Sequence, residues 1–406
     1  MNLTEKEIIY PTDERFNLIK ELCHLSKNLY NASLYDIRQY FFETGKYRAW
    51  QSQASIFIKN KNPDYYALQT HLAIEVLMQV GRQFIGFFNS KTNKNKRIPR
   101  YKDKNGHNVV TFPKTTISRH IDFDKGRQIY TYTLCKRSYN LKIQSTRPNI
   151  KVIQFVYDEV NNVIKCFKIY EVEEPKFKKD NSRYFSIDPG LNNIVSVYNN
   201  IGIRPLLYNG RPIKSINQYY NKTNAGLRSE LPKGAKTSKR LKRLSLKRAN
   251  KLDYEMNKIS THITNEATKN NISKIFIGNN NGWKNEVNMG RVNNQNFVNI
   301  PYMKLFHQLA YKGALKGIEV IFTEESHTSK ASFFDKDELP ILGQTDSPAF
   351  SGRRIKRGLY RDGKGNLWNA DLNGAANIMR KVVADNAYKG IRKAKELMKR
   401  PILVTL

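Results

Sequence analysis

The chain has 406 residues, 39% of them hydrophobic and 11% aromatic, with 70 Lys and Arg against 35 Asp and Glu, a formal net charge of +35. That excess is larger than an enzyme of small metabolites needs and points to a polyanionic partner, while the apolar content excludes a disordered basic tail and suffices for two or three cores. No apolar run approaches the roughly 18–20 residues that span a bilayer, and the start, Met1-Asn2-Leu3-Thr4-Glu5-Lys6, lacks a signal-peptide core, so a cytoplasmic, nucleoid-associated protein of bacterial type with no membrane partner is expected.

The first hundred residues read as helices. Phe16 to Phe42 carries Leu18, Leu22, Leu25, Leu29, Ala32 and Leu34 at near-helical spacing, and Tyr65 to Phe88 does the same with Leu68, Leu72, Val76, Leu77, Val80 and Phe84. Lys27, Tyr30, Asn31 and Arg38, interleaved on the first helix, are candidates to line a nucleic-acid groove. A basic loop from Lys91 to Lys104 follows, and its Arg97, Arg100, Tyr101 and Lys102, like Lys330 later in the chain, are further candidates for nucleic-acid contact. Four β-type runs come next, Val109 to Phe112, Gln128 to Leu134, Ile150 to Asp158 and Val163 to Val172, and suggest a small barrel or wrapped sheet. A polar stretch, Pro175 to Asn181, then marks a boundary.

From Arg183 the predicted order is three strands, a long helical region (about Ser215 to Asn270), a strand (Lys274 to Gly278), a helix (Pro301 to Lys316), a strand (Ile318 to Thr323), an irregular insert and a last helix. Strands alternating with helices imply an α/β sheet buried on both faces, in the order of an RNase H-like fold. Within the helical region Lys233 to Lys251 contains Lys239, Arg240, Lys242, Arg243, Lys247 and Arg248 and no acid. Solvated helix faces normally mix signs, so this one-sidedness predicts phosphate contact.

Two distant carboxylates carry the chemistry. Asp188 ends the strand Tyr184-Phe185-Ser186-Ile187-Asp188, where Pro189-Gly190 forces a turn, and Asp371 opens a helix in Asn369-Ala370-Asp371-Leu372-Asn373-Gly374-Ala375. A strand-end acid facing an acid in the first turn of a helix can share a divalent metal, an arrangement suited to phosphodiester hydrolysis. The strand Ile275-Phe276-Ile277 ends in Gly278-Asn279 with no third acid, but the next ends in Thr323-Glu324-Glu325-Ser326-His327-Thr328-Ser329-Lys330, and a Glu there, Glu324 or Glu325, reaches the same pocket. His327 reads as a hydrogen-bonding loop residue. Three scattered cysteines and none between Ala331 and Asn369 leave no Cys-x-x-Cys zinc site, so no zinc is expected. The insert instead carries Arg353, Arg354, Lys356 and Arg357, read as phosphate contacts.

The Ser186-Ile187-Asp188-Pro189-Gly190 strand, Thr328-Ser329-Lys330, Asn369-Ala370-Asp371-Leu372-Asn373-Gly374-Ala375, Ser26-Lys27-Asn28-Leu29-Tyr30-Asn31 and Pro99-Arg100-Tyr101-Lys102 together resemble the TnpB family of transposon-encoded RNA-guided nucleases, relatives of the type V CRISPR effectors and of Fanzor. The resemblance spans nearly the whole chain, but departs at Gly278, where the family usually has Glu, and in the missing zinc ribbon. Some relatives carry the acid later, in a Glu-x-x-Thr-Ser context that Glu325 satisfies. The resemblance implies a multi-domain α+β protein: a wedge-like β-barrel over 1–178, with a helical recognition insertion at about 12–90 that binds guide RNA and the motif beside the target, then an RNase H-like RuvC nuclease domain over 179–406 with a basic insert at 329–368. It further implies a guide RNA from the element's own end, a double-stranded DNA target, and two Mg²⁺ ions, replaceable by Mn²⁺, among Asp188, Glu325 and Asp371. Alternatives are a nuclease-inactive RNA-guided repressor and, less favoured, a strand-transferring transposase.

Overall fold

A computed structural model describes residues 1–89, 97–124, 127–279, 300–340, 349–356, 358–388 and 391–406. The chain divides into two compact units, Met1–Glu174 and Pro175–Leu406. The first runs β1 (Asn2–Ile9), α1 (Arg15–Thr44), α2 (Trp50–Lys59), α3 (Pro63–Tyr66), α4 (Thr70–Asn89), β2 (Val110–Pro113), β3 (Ile117–Asp124), β4 (Arg127–Leu134), β5 (Leu141–Ser145), β6 (Ile150–Asp158) and β7 (Val163–Glu171). Its strands form two sheets, β1-β7-β6-β2 and β3-β4-β5, antiparallel throughout.

The apolar stripe of α1, Ile19, Cys23, Leu34 and Ile37, shares one core with Val80 and Phe84 of α4 and with Phe112 and Phe155 of the four-stranded sheet. Gly45 closes α1 in the left-handed conformation (φ 67°), its N–H bonded to Phe41 O. The β1 strand has no apolar alternation to reveal it, because two of its inward positions are Glu5 and Glu7. They pair with the buried ammonium of Lys168 at 3.0 and 2.8 Å.

The second unit runs β8 (Tyr184–Pro189), β9 (Asn193–Asn199), β10 (Leu206–Asn209), α5 (Arg211–Ser229), α6 (Lys239–Lys269), β11 (Lys274–Gly278), α7 (Tyr302–Leu315), β12 (Glu319–Thr323), β13 (Arg353–Lys356), β14 (Leu359–Arg361), β15 (Leu367–Asn369), α8 (Ala370–Val383), α9 (Ile391–Lys399) and β16 (Ile402–Val404). Its main sheet has the order β12-β11-β8-β9-β10-β16, with β9 antiparallel to β8 and β10, and with β11 and β12 parallel to β8. The insert expected to be irregular contains a three-stranded sheet, β13-β14-β15, whose first turn is made at Gly358 (φ 82°).

Pleating sorts the side chains. Phe185, Ile187, Ile275 and Ile277 point to the face covered by α6 and α7, whereas Tyr184 and Phe276 point to the face covered by α8. Ser186 shares that second face and donates to Ala375 O at 2.6 Å. The same two-residue period therefore carries Asp188 and Gly278 to the α8 side.

Candidate functional site

The last helix approaches the sheet closely because its contact surface is Gly374, Ala375 and Ala376. A Cβ at Gly374 would stand 2.5 Å from Asp188 Oδ2, so only glycine admits that carboxylate. Asn369 caps α8, its side chain accepting from Asp371 N and Leu372 N at 3.0 Å each, which sets Asp371 at the rim. There Asp371 accepts from Asn193 Nδ2 at 2.9 Å and from Arg354 at 3.0 Å.

Glu325 arrives from the segment after β12. Asn377 of α8 donates to Thr328 O at 2.9 Å and Ala331 O at 2.7 Å, and Asn373 donates to Ala331 O at 2.8 Å while accepting from Phe333 N at 3.1 Å. These four bonds hold the strand exit against α8. A Cβ at Gly278 would collide with Glu325 Oε2 and lie 2.6 Å from Ile378 Cδ1. The Glu325 carboxylate thus fills the space over Gly278 that a side chain at that position would take. Glu324 goes elsewhere: it accepts from Ser326 N at 2.5 Å and pairs with Lys381 of α8. His327 turns the loop at φ 63° and its carbonyl accepts from Lys330 N and Ala331 N.

Burial, with the charges of Glu325 and Asp371, holds the Asp188 carboxyl well above the usual carboxylate range, and Arg354 offsets part of this. Glu325 is pushed up to about 7 by burial and then by the charge of Glu324, against the pull of Lys381. Tyr302, fully buried, donates its hydroxyl to Gly190 O at the turn after Asp188, and burial and the charges of Asp188 and Asp371 raise its phenol well above the ordinary value. Ser196, opposite Asp188 in the ladder, has a buried hydroxyl without a hydrogen-bond partner.

This donor set fits a hard divalent cation: carboxylates on one rim, two of them raised by burial and neighbouring negative charge, an unpartnered hydroxyl beside them, and glycines in place of obstructing side chains. It is not closed around a point. Among the described residues no three His, Cys, Asp or Glu side chains are close enough to hold a metal ion, and Asp371 is engaged by Arg354 and Asn193.

The other sequence-derived residues divide by direction. Lys27 and Tyr30 face inward: Lys27 donates to Asn28 Oδ1 (2.5 Å) and Lys104 O (2.6 Å), and Tyr30 to Gln83 Oε1 (2.6 Å). Asn31 exchanges two bonds with the Lys102 backbone (3.0 and 2.9 Å), while the Lys102 ammonium, its pKa lowered by burial, lies 4.8 Å over the Tyr30 ring. Arg38 reaches Pro99 O at 3.4 Å and lies 5.0 Å over Tyr101. These residues pin the loop to α1, leaving Arg97, Arg100 and Tyr101 exposed on it.

On α6, Leu241, Leu244 and Leu252 are buried while Lys239, Arg240, Lys242, Arg243, Lys247 and Lys251 are exposed; Arg248 bonds Asn217 Oδ1 at 2.8 Å. Lys330, Arg353 and Lys356 are also exposed, and Arg357 lies outside the described residues. Arg354, which sequence suggests as a phosphate contact, is bound to Asp371. Little in the sequence singles out Asn193 and Tyr302, whose only local signal is nearness to the Asp-Pro-Gly turn or to a helix start. Helix α5 does carry a signal that sequence reasoning missed: nineteen residues with no acid.

A family model described as Probable transposase (OrfB of IS605) matches residues 168–284. The "TnpB-like protein ORF457" of Acidianus two-tailed virus is 26% identical over 227 residues, 53% of this chain, and the match spans 44% of that relative's length. The structure titled "Cryo-EM structure of the Cas12f1-sgRNA-target DNA complex" aligns over 89% of this chain and 82% of its own at a TM-score of 0.56 and 13% identity, a likeness of fold. The chain is thus similar to the IS605 OrfB transposase model over residues 168–284 and to a TnpB-like viral protein over about half its length, and it shares the mixed α/β fold of the Cas12f1 structure.

Proposed function

We propose that the chain is an RNA-guided DNA endonuclease that cuts target DNA beside a short adjacent motif, with Asp188, Glu325 and Asp371 of an RNase H-like, RuvC-type unit as its metal ligands. The observation that carries this reading is the seating of the Glu325 carboxylate over Gly278, on the α8 face to which Asp188 also points. A glycine there is the condition for an acid delivered from the neighbouring strand, not the scar of a lost one.

Mg²⁺, or Mn²⁺ in its place, would supply charge neutralisation at a phosphodiester and an acidified water. The protein's residues supply the frame. Asp188 stands rigid at a strand end, Glu325 is held by the Asn373 and Asn377 clamp, and Asp371 is fixed by its cap and by Asn193. Tyr302 braces the Gly190 turn. Arg354 must leave Asp371 for all three acids to serve one site.

The guide RNA and the double-stranded target are the proposed partners: base pairing chooses the sequence while the protein holds the backbone. In this reading the first unit is the wedge-like domain, its helices reading guide and adjacent motif, and the exposed cations of α6 and of the Arg97–Tyr101 loop contact phosphates. No helix among the described residues is long and apolar enough to cross a membrane, and a cytoplasmic, nucleoid-associated site of action suits these partners. The test is cleavage of a programmed target by the protein copurified with its RNA, with and without EDTA. Cleavage surviving EDTA would overturn the metal site. The Arg354–Asp371 pair and the unclosed acids favour a second reading, an RNA-guided binding protein without cleavage, which the same assay separates by binding without product.

A further inference from the structure

Helix α5 lies against the acid-free half of α6, and the two enclose a cleft of about 260 Å³ lined by Ser215, Tyr219, Tyr220, Lys247, Arg248 and Lys251 among others. Arg248 is built into it. Its Nε donates to Asn217 Oδ1 at 2.8 Å and its guanidinium lies 4.7 Å over the Tyr220 ring, while the Tyr220 hydroxyl meets Ser245 Oγ at 3.3 Å. Tyr219 beside it is 60% exposed and contributes to no core. A tyrosine ring with a guanidinium over it, an exposed tyrosine and two solvent-facing ammonium groups form a π-surface flanked by positive charge.

Phosphate contact along a duplex needs only the cations. A duplex keeps its bases stacked and paired inside, and the cleft is slightly smaller than the ~300–1,000 Å³ typical of small-molecule sites, room for one planar base and not for a double helix. We infer that the α5–α6 cleft takes one unpaired base of a single-stranded nucleic acid, stacked at Tyr219 and Tyr220, with the flanking phosphates on Lys247 and Lys251. The inference rests on the nucleic-acid reading above and adds to it the state of the strand.

The test is fluorescence anisotropy in EDTA, so that cleavage plays no part, using labelled oligo-dT, labelled oligo-U and a duplex of the same length. Tyr219→Ala should weaken single-strand binding about 5- to 150-fold, the span of about 1–3 kcal/mol per stacked base at 1.4 kcal/mol per decade, and leave duplex binding within about twofold. Tyr219→Phe should restore the single strand. The more affected oligonucleotide identifies the strand as DNA or RNA, and a loss in either supports the inference. Lys247→Gln with Lys251→Gln should weaken every probe and flatten the salt dependence by about one unit of slope for each phosphate no longer neutralised. If Tyr219→Ala leaves both single strands unchanged, or weakens the duplex equally, the stacking site is wrong. If the lysine variants still flatten the slope in that case, the polyanion surface stands, and guided cleavage, assayed separately, is untouched.

Discussion

The carboxylate rim and the basic face of α5 and α6 belong to the same unit and are assembled by opposite means. At the rim each acid has a built seat: Gly374 against Asp188, Gly278 under Glu325, and Asn193 with Arg354 on Asp371. On the basic face the leucines anchor the helix and the cations face outward, with Arg248 drawn inward onto Asn217. Carboxylates that must share one ion depend on positions fixed to a fraction of an ångström and fail abruptly, whereas a polyelectrolyte face sums many near-equivalent contacts and fails by degrees.

The largest effect that would sharpen this contrast is expected from Glu325→Gln. The amide keeps the shape over Gly278 and removes the charge, so guided cleavage should fall by about 100-fold or more while RNA and DNA binding persist. Cleavage at an undiminished rate, measured on single turnovers, would remove Glu325 from the site.

On the basic face the change should be graded. Replacing Lys242 and Arg243 by Gln should lower nucleic-acid affinity and flatten log K against log salt by about one unit for each phosphate the pair neutralises, with the metal response of cleavage unaltered. A slope that stays put would make the α6 face a solvated surface and break the comparison.

Stability separates the regions too. Gly278→Ala must displace the Glu325 carboxylate or Ile378, so a loss of about 1–3 kcal/mol is expected from overpacking, read as a lowered Tm. Ala in place of the exposed Lys242 should stay within about 0.5 kcal/mol. A stable Gly278→Ala would mean the rim yields more readily than its packing indicates.

The smallest effect is expected at Arg354. Its pair with Asp371 is half-exposed (side chains 45% and 21% accessible), and such pairs are worth about 0–1 kcal/mol. Arg354→Gln should therefore tighten Mn²⁺ binding by no more than about fivefold, measured by electron paramagnetic resonance of free Mn²⁺. A weakened affinity would make Arg354 a support of the site and not a competitor for its acid.

Sequence alone determined what local rules encode. The strands ending at Asp188 and Gly278, the turn at Pro189-Gly190, the helix that opens at Asp371 and the acid-free run on α6 are each legible because composition and period within one element state what that element is. That logic ends where an element ends. Glu324 and Glu325 lie past Thr323, where no period says which one turns to Gly278; Lys381, Asn373 and Asn377 of a distant helix decide it. Lys27 and Lys102 read as nucleic-acid contacts in sequence, whereas Lys104 O and the Tyr30 ring are their partners in the fold, and Arg354 crosses an insert to reach Asp371. Strand β1 stays hidden because a buried lysine makes its inward glutamates necessary. In each case a charge is satisfied by a group far away in sequence, and only the tertiary structure fixes which acceptor comes within reach.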